Sequence, residues 1–197
     1  KDFETGALRA FDFDDLLKHI PELKILDCEI ATTSFKTPID SSSINPEHWQ
    51  RLAGIIEQNY QAYDGFVVLH GSDTMSFTSS AISFMLENLA KPIIFTGSQL
   101  PIGDLRTDAK ENLITSIQLA SLREKGEPKI KEVCLYFEYK LYRANRTSKI
   151  HAEHFEAFSS YNYPPLATSG VHLVVNHEAL LPRPKVERPL YVHKDLC

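Results

Sequence analysis

The chain has 197 residues, 43% of them hydrophobic and 24% charged, with a formal net charge of −5 at pH 7. That length supports one sizeable core or two small ones, and an acidic balance without a long basic run argues against nucleic acid and anionic membrane as partners. No run approaches the ~18 consecutive apolar residues of a membrane span, the opening residues do not read as a signal peptide, and three cysteines, Cys28, Cys134 and Cys197, are too sparse for a disulfide framework, so reduced thiols in a cytoplasm are expected.

In chain order, Ile25 to Ala31 is a short apolar segment of strand type, followed by the turn-rich "TPIDSSSINPEHW". Asn45 then Pro46 marks a helix start, an N-cap oxygen followed by a ring whose missing N–H costs nothing at the first helical position. Trp49, Leu52, Ala53 and Ile56 supply the i, i+3, i+4, i+7 stripe. Asp64-Gly65 turns the chain into "FVVLH", a continuous apolar run that reads as a strand covered on both faces. Ile82, Met85, Leu86 and Leu89 again have helical spacing, with Pro92 closing that helix and opening the buried strand "IIFTG". "SQLPIGDLRTDAKEN" is a polar loop, Leu113, Ile117 and Ala120 mark a third helix ending near Gly126, and "EVCLYF" is a further strand. Such alternation predicts an α/β, Rossmann-like doubly wound fold with a mainly parallel sheet.

When the strands run one way, the loops after them gather along one edge, where ligands bind. Those loops are "HGSDT", "TGSQLP" and "EYKLYRANRTSK", which carry Ser72, Asp73, Thr74, Thr96, Ser98, Gln99, Asn145, Arg146, Thr147 and Lys149. Ser72 to Thr74 could be simply a helix N-cap. A phosphate cradle is disfavoured, because neither GxGxxG nor GxxxxGK[ST] occurs. A hydroxyl, a carboxylate and a lysine remain, a set that can activate a nucleophile, since a hydroxyl is weak until a base takes its proton.

The segment "DGFVVLHGSDTMSFTSSAISFMLENLAKPIIFTGSQLP" resembles the central signature of the L-asparaginase family, closest to its cytoplasmic, type I branch. "PIDSSSINPEHW" is similar to that family's substrate loop and "LYRANRTSKIHAEHFEAFSSYNYPPLA" to its lysine segment, so the likeness covers almost the entire chain. The resemblance implies hydrolysis of L-asparagine to L-aspartate and ammonia, with no metal or organic cofactor, by a threonine that forms an acyl-enzyme. By position it assigns Ser72, Asp73 and Lys149 to the triad beside the reacting centre. Asp40, Ser41 and Ser42 form the substrate loop, with Ser41 and Ser42 near the α-carboxylate. Asp73 would meet the α-ammonium, and Ser98 would line the amide pocket.

Ser72 stands where the family usually has threonine, which keeps the hydroxyl and loses a methyl. "KDFETGALRAF", matching the family's lid, has no tyrosine, and TGGT, the family's nucleophile segment, does not occur. The chain opens on Lys1 and stops at Cys197, and is therefore read as lacking the first strand and the smaller C-terminal α/β domain. Residues 1–180 would be the N-terminal asparaginase-type domain, and 181–197, with Pro182, Pro184 and Pro189, the start of the linker. These residues alone are expected to lack turnover and to leave a sheet edge unpaired. The family likeness favours a cytoplasmic homodimer or homotetramer acting on a small molecule, with neither nucleic acid nor membrane as partner. Two alternatives stand beside it: a non-catalytic amide-binding homologue, and an asparaginase-like amidotransferase subunit.

Other conspicuous residues have plainer readings. His151 and His154, three apart on an expected helix, read as a surface pair, and His70 as a hydrogen-bonded structural histidine. Asn145-Arg146-Thr147 fits a glycosylation sequon of little weight in a cytoplasmic protein. Trp49, Tyr60 and Tyr63 read as core or interface.

Overall fold

The computed structural model describes residues 13–184 and 188–194. In chain order it places α1 at Phe13–His19, α2 at Pro46–Asn59, β1 at Phe66–Leu69, α3 at Met75–Met85, β2 at Leu86–Glu87, β3 at Ile93–Thr96, α4 at Ala109–Ser121 and the hairpin β4, Arg123–Glu124, with β5, Glu127–Pro128. There follow β6 at Val133–Phe137, β7 at Lys140–Arg143, β8 at Ser148–Lys149, β9 at Phe158–Ser159, β10 at Ala167–Ser169, β11 at Leu173–Val175 and β12 at Tyr191–Val192.

The main sheet has the order β1-β3-β6-β7-β10-β11. β1 pairs with β3 in parallel from Phe66↔Ile93 to Leu69↔Thr96, and β3 with β6 from Ile93↔Val133 to Phe95↔Leu135. The two-residue period of a strand divides these apolar runs between two faces. Ile93, Phe95, Val133, Leu135 and Phe137 pack with Ala53 and Ile56 of α2 and Met75, Ile82 and Met85 of α3. Ile94, Cys134 and Tyr136 point the other way, to Leu119 of α4 and to Ile130. Each fully buried aliphatic or aromatic side chain here contributes about 1.5–3 kcal/mol. Helices on both faces of a sheet make the α/β class expected from the sequence.

The three strands that alternate with helices are parallel, and the rest of the sheet is not. Glu138 and Tyr139 adopt positive φ, 43° and 65°, in a two-residue turn that returns the chain as β7, antiparallel from Phe137↔Lys140 to Cys134↔Arg143. β10 pairs antiparallel with both β7 and β11. A two-residue connection cannot make a parallel crossover, so the segment read as one loop after "EVCLYF" holds a reversed strand.

Four local expectations are corrected. Ile25–Ala31 is no strand: Pro21–Ile25 is a 3-10 turn anchored by buried Leu23, Ile25 is 82% exposed, and residues 26–31 join no ladder among the described residues. An extended segment without a partner leaves its N–H and C=O groups to water and gains nothing as a strand. α3 stops at Met85, because Leu86 leaves to pair with Val192 and Asn88 adopts φ 62°. α4 stops at Ser121, with Lys125 and Gly126 at positive φ in the β4–β5 turn. β1, expected covered on both faces, is an edge strand among the described residues, half-buried, with Leu69 50% exposed.

The start of α2 is as read. Asn45 Oδ1 accepts from His48 N at 3.3 Å while Asn45 N donates to His48 Nδ1 at 3.1 Å, a reciprocal capping box. Tyr60 is buried, Trp49 partly buried and Tyr63 40% exposed. Beneath β6 and β7, Arg143 Nε donates to Glu132 Oε2 at 2.6 Å, with side-chain exposures of 13% and 3%. Leu181 N donates to Glu132 Oε1 at 2.8 Å and Arg143 Nη2 to the Ala179 carbonyl at 2.9 Å, which ties residues 179–181 to the sheet. Part of the stretch expected as linker also folds back: β12 pairs with β2 and buries Val192. Cys28 and Cys134 are free thiols, while Cys197 and "KDFETGALRAF" lie outside the described residues. Among the described residues no helix is long and apolar enough to cross a membrane.

Candidate active site

The site forms where β1 and β3 end side by side. His70 N donates to the Thr96 carbonyl at 2.9 Å, carrying the ladder one residue past β1. The chains approach so closely there that two glycines are required. A Cβ at Gly97 would overlap the His70 carbonyl oxygen and stand 2.9 Å from Met75 Cε, and one at Gly71 would stand 2.6 Å from Ser41 Oγ. Gly97 thus sets the approach of the β1 and β3 exits, and Gly71 admits the Ser41 turn against the first of them.

Asp40 Oδ1 organises that turn, accepting from Ser42 N at 3.0 Å and Ser42 Oγ at 2.8 Å. Thr74 stands at the N-cap position of α3, yet its hydroxyl donates to the Ser41 carbonyl at 2.6 Å rather than serving the helix. The polar triplet is therefore more than a cap: Thr74 joins two loops, and its neighbours face a lysine.

Lys149 Nζ donates to Ser72 Oγ at 2.9 Å and to Asp73 Oδ1 at 2.8 Å, across 77 and 76 residues of chain. The Lys149 side chain is 15% exposed and that of Asp73 65%, so the ammonium is largely sheltered while the carboxylate opens to solvent. Lys149 arrives not from a loop directly after β6 but after β7 and a 3-10 turn, Ala144–Arg146, that lies against α3.

Ser72 has another partner. Its hydroxyl donates to Gln99 Oε1 at 2.8 Å, while Gln99 Nε2 donates to the carbonyls of Ala152 at 3.0 Å and His154 at 2.9 Å. The Gln99 backbone is held by Asp108, whose two carboxylate oxygens each accept from Gln99 N at 3.0 Å. Asp108 also accepts from Leu100 N and from Asn112 Nδ2, both at 3.1 Å.

Below the site, the carbonyl of Gly71 can only accept, so His70 Nδ1 is the donor in their 2.7 Å contact. His70 Nε2 then accepts from Thr78 Oγ1 at 3.0 Å, and Thr78 Oγ1 accepts from Trp49 Nε1 at 3.1 Å. Every group is satisfied with a neutral ring, and burial holds the pKa of His70 below its ordinary 6.5. This is the structural histidine the sequence suggested.

The structure therefore joins Ser72, Asp73 and Lys149 directly, and brings Asp40, Ser41 and Ser42 alongside through Thr74 and Gly71. Ser98 lies half-buried beside Gln99, outside this hydrogen-bonded set. Gln99 and Asp108 were legible only as polar loop residues; the signal available was Gln99 directly after "TGS". A cleft of about 660 Å³ opens beside Lys149 and Asp73, with Phe77, Asn145, Arg146 and His151 among its walls, while Ser41, Ser42 and Ser98 do not line it. His151 and His154 lie on irregular chain rather than a helix, their rings 4.7 Å apart. The bonds of Ala157 N to the Phe155 carbonyl and of Ile150 N to the Ala157 carbonyl make a tight loop there instead of helical turns. No group of three or more His, Cys, Asp or Glu suited to a metal occurs among the described residues.

A hydroxyl and a carboxylate at the exit of a parallel strand, joined by a sheltered lysine that arrives from beyond β7, are a set of groups that can activate a nucleophile. The sequence matches the family described as "Asparaginase, N-terminal" over residues 1–181, and the chain belongs to the asparaginase family. It is similar to L-asparaginase 1 of Escherichia coli (strain K12), 49% identical over 158 residues that are 80% of this chain and 45% of that protein. It is also similar to the 60 kDa lysophospholipase of Mus musculus, 48% identical over 139 residues, 71% of this chain and 24% of that protein. L-asparaginase I from Vibrio cholerae O1 biovar eltor str. N16961 has a similar structure, with a TM-score of 0.81 at 40% identity, covering 93% of this chain and 54% of that one. The chain thus spans less than half the length of these two curated relatives.

Proposed function

We infer that this chain supplies the site for hydrolysis of the side-chain amide of L-asparagine to L-aspartate and ammonia. The observation that carries the reading is Lys149 Nζ within 2.9 Å of Ser72 Oγ and 2.8 Å of Asp73 Oδ1, a convergence that local folding does not require. Similarity to proteins named L-asparaginase supports the substrate.

Asparagine is a small zwitterion, and its α-groups must be gripped at both charges before its amide can be aimed at a nucleophile. Asp73, the exposed end of the triad, receives the α-ammonium; the hydroxyls of Ser41 and Ser42 receive the α-carboxylate, and Ser98 borders the amide. By family resemblance the first attack belongs to a threonine of a TGGT segment, which residues 1–197 do not contain. Ammonia leaves from the acyl-enzyme and water then releases aspartate. The Lys149–Ser72 pair handles the proton, and backbone N–H groups at the strand exits meet the oxyanion, a contribution of about 3–4 kcal/mol per donor in enzymes of this type of chemistry. A cytoplasmic homodimer or homotetramer without a cofactor completes the reading, and the free thiols of Cys28 and Cys134 suit a reducing compartment.

The test is ammonia release from L-asparagine by the full-length protein. Turnover supports the reading. A folded protein that binds asparagine in direct titration and releases no ammonia is an amide-binding homologue, and the reading fails.

A further inference from the structure

The Gly71–Ser72 peptide lies just past the β1 exit, and a glycine on its N-terminal side leaves it free to turn over. Glycine is required at that position for another reason, since a Cβ there would stand 2.6 Å from Ser41 Oγ. His70 opposes the freedom that results. Its backbone is fixed to the sheet by the 2.9 Å bond from its N–H to the Thr96 carbonyl. Its ring is fixed to two helices: Nε2 accepts from Thr78 Oγ1 of α3 at 3.0 Å, and that oxygen accepts from Trp49 Nε1 of α2 at 3.1 Å. So anchored, Nδ1 donates to the Gly71 carbonyl at 2.7 Å.

The described peptide bonds are all trans, and the C=O and N–H of a trans peptide point in opposite directions. With the carbonyl held on the ring, the Ser72 N–H points away from it and meets no acceptor among the described residues. A half-buried donor left open beside Ser72 Oγ, itself 2.9 Å from Lys149 Nζ, suits a developing negative charge. We propose that His70 is a positioning residue that locks the Gly71–Ser72 peptide, carbonyl on the ring, and so presents the Ser72 N–H to the anion formed at the reacting carbonyl. The role rests on the function proposed above and goes beyond it by naming the side chain that aims one of the backbone donors.

The experiment compares His70→Asn with His70→Gln in the full-length protein. Asparagine Nδ2 takes the place of Nδ1, keeping the bond to Gly71 and losing the one to Thr78. Glutamine reaches the place of Nε2, keeping the bond to Thr78 and losing the one to Gly71. Each variant gives up one of the ring's two bonds, so both should melt lower by a similar amount. Only His70→Gln should slow release of ammonia from L-asparagine, with kcat down about 10- to 100-fold and KM within about threefold, the pattern of an interaction made in the transition state. His70→Asn and Thr78→Val, which both spare the Gly71 bond, should keep kcat within about threefold of wild type. Crystal structures of the same proteins read the peptide without turnover: the Gly71 carbonyl should face residue 70 in wild type and His70→Asn and turn away in His70→Gln. Equal losses of kcat in the two His70 variants, in step with their stability, describe a purely structural histidine and overturn the proposal. Should His70→Gln fail to fold, a tenfold loss of kcat in His70→Asn or Thr78→Val overturns it as well. If wild type releases no ammonia, the amidohydrolase reading falls, and the crystal structures alone decide the lock: a carbonyl that stays in place in His70→Gln overturns it.

Discussion

Replacing Gly97 by alanine tests whether the close approach of β1 and β3 builds the site. The added Cβ would overlap the carbonyl oxygen of His70, a backbone atom that no rotamer change can move, and would press on Met75 Cε at 2.9 Å. Relief requires the two strand exits to separate by about an ångström, because real Cβ contacts are almost never under 3.0 Å. Overpacking of this kind costs about 1–3 kcal/mol. The same shift stretches the 2.8 Å bond from Ser72 Oγ to Gln99, another ~1 kcal/mol. A total of about 3 kcal/mol lowers Tm by about 6–12 °C in a protein of this size. A displacement of about 1 Å at a reacting centre costs on the order of 100-fold in rate. Circular dichroism melting and ammonia release from the full-length protein read both quantities. Gly54→Ala is the control: it lies inside α2 with nothing within 4 Å of an added Cβ, and should stabilise by ~1 kcal/mol. If Gly97→Ala melts within about 1 °C of wild type and keeps its rate, the reasoning is refuted.

Two further outcomes follow from the described contacts. Glu132→Ala leaves Arg143 buried without its carboxylate and unties Leu181, so urea denaturation should show a loss of about 3–5 kcal/mol. Glu132→Leu combined with Arg143→Met should recover most of that loss, and a single-variant cost under ~1 kcal/mol would show the pair to be dispensable. His70 is held neutral by burial, with its folded pKa below 6.5. The unfolded chain therefore takes up a proton first as pH falls, and the contribution of His70, complete above 6.5, is lost below it. The stability difference between wild type and His70→Gln should accordingly shrink between pH 7.5 and 5.5; a constant difference across ~2 pH units would show that His70 does not titrate with unfolding.

The α/β class was legible because buried parallel strands advertise themselves as apolar runs: "IIFTG" and "EVCLYF" became β3 and β6, and "FVVLH" became β1. The start of α2 was equally plain, since Asn45 and Pro46 act locally. What failed was set by distant pairing. Leu86 has helical spacing with Ile82 and Met85, yet Val192, 106 positions later, draws it into a strand. The reversal at Glu138-Tyr139 has none of the Asn-Gly chemistry such turns favour, so β7 was hidden inside a polar segment. At the site, Ser72, Asp73 and Lys149 were legible by family likeness, and their meeting needed the structure. Gln99 escaped because its role depends on two backbone carbonyls, Ala152 and His154, that no side-chain pattern reveals.

The proposed role of Lys149, bound to Ser72 and Asp73, is to serve amide hydrolysis. The decisive measurement is ammonia release from L-asparagine by the full-length protein, wild type against Lys149→Met. A folded Lys149→Met protein should lose about 100- to 10,000-fold in kcat. A folded variant within about tenfold of wild type would contradict the account, leaving the lysine as a structural tie between two loops.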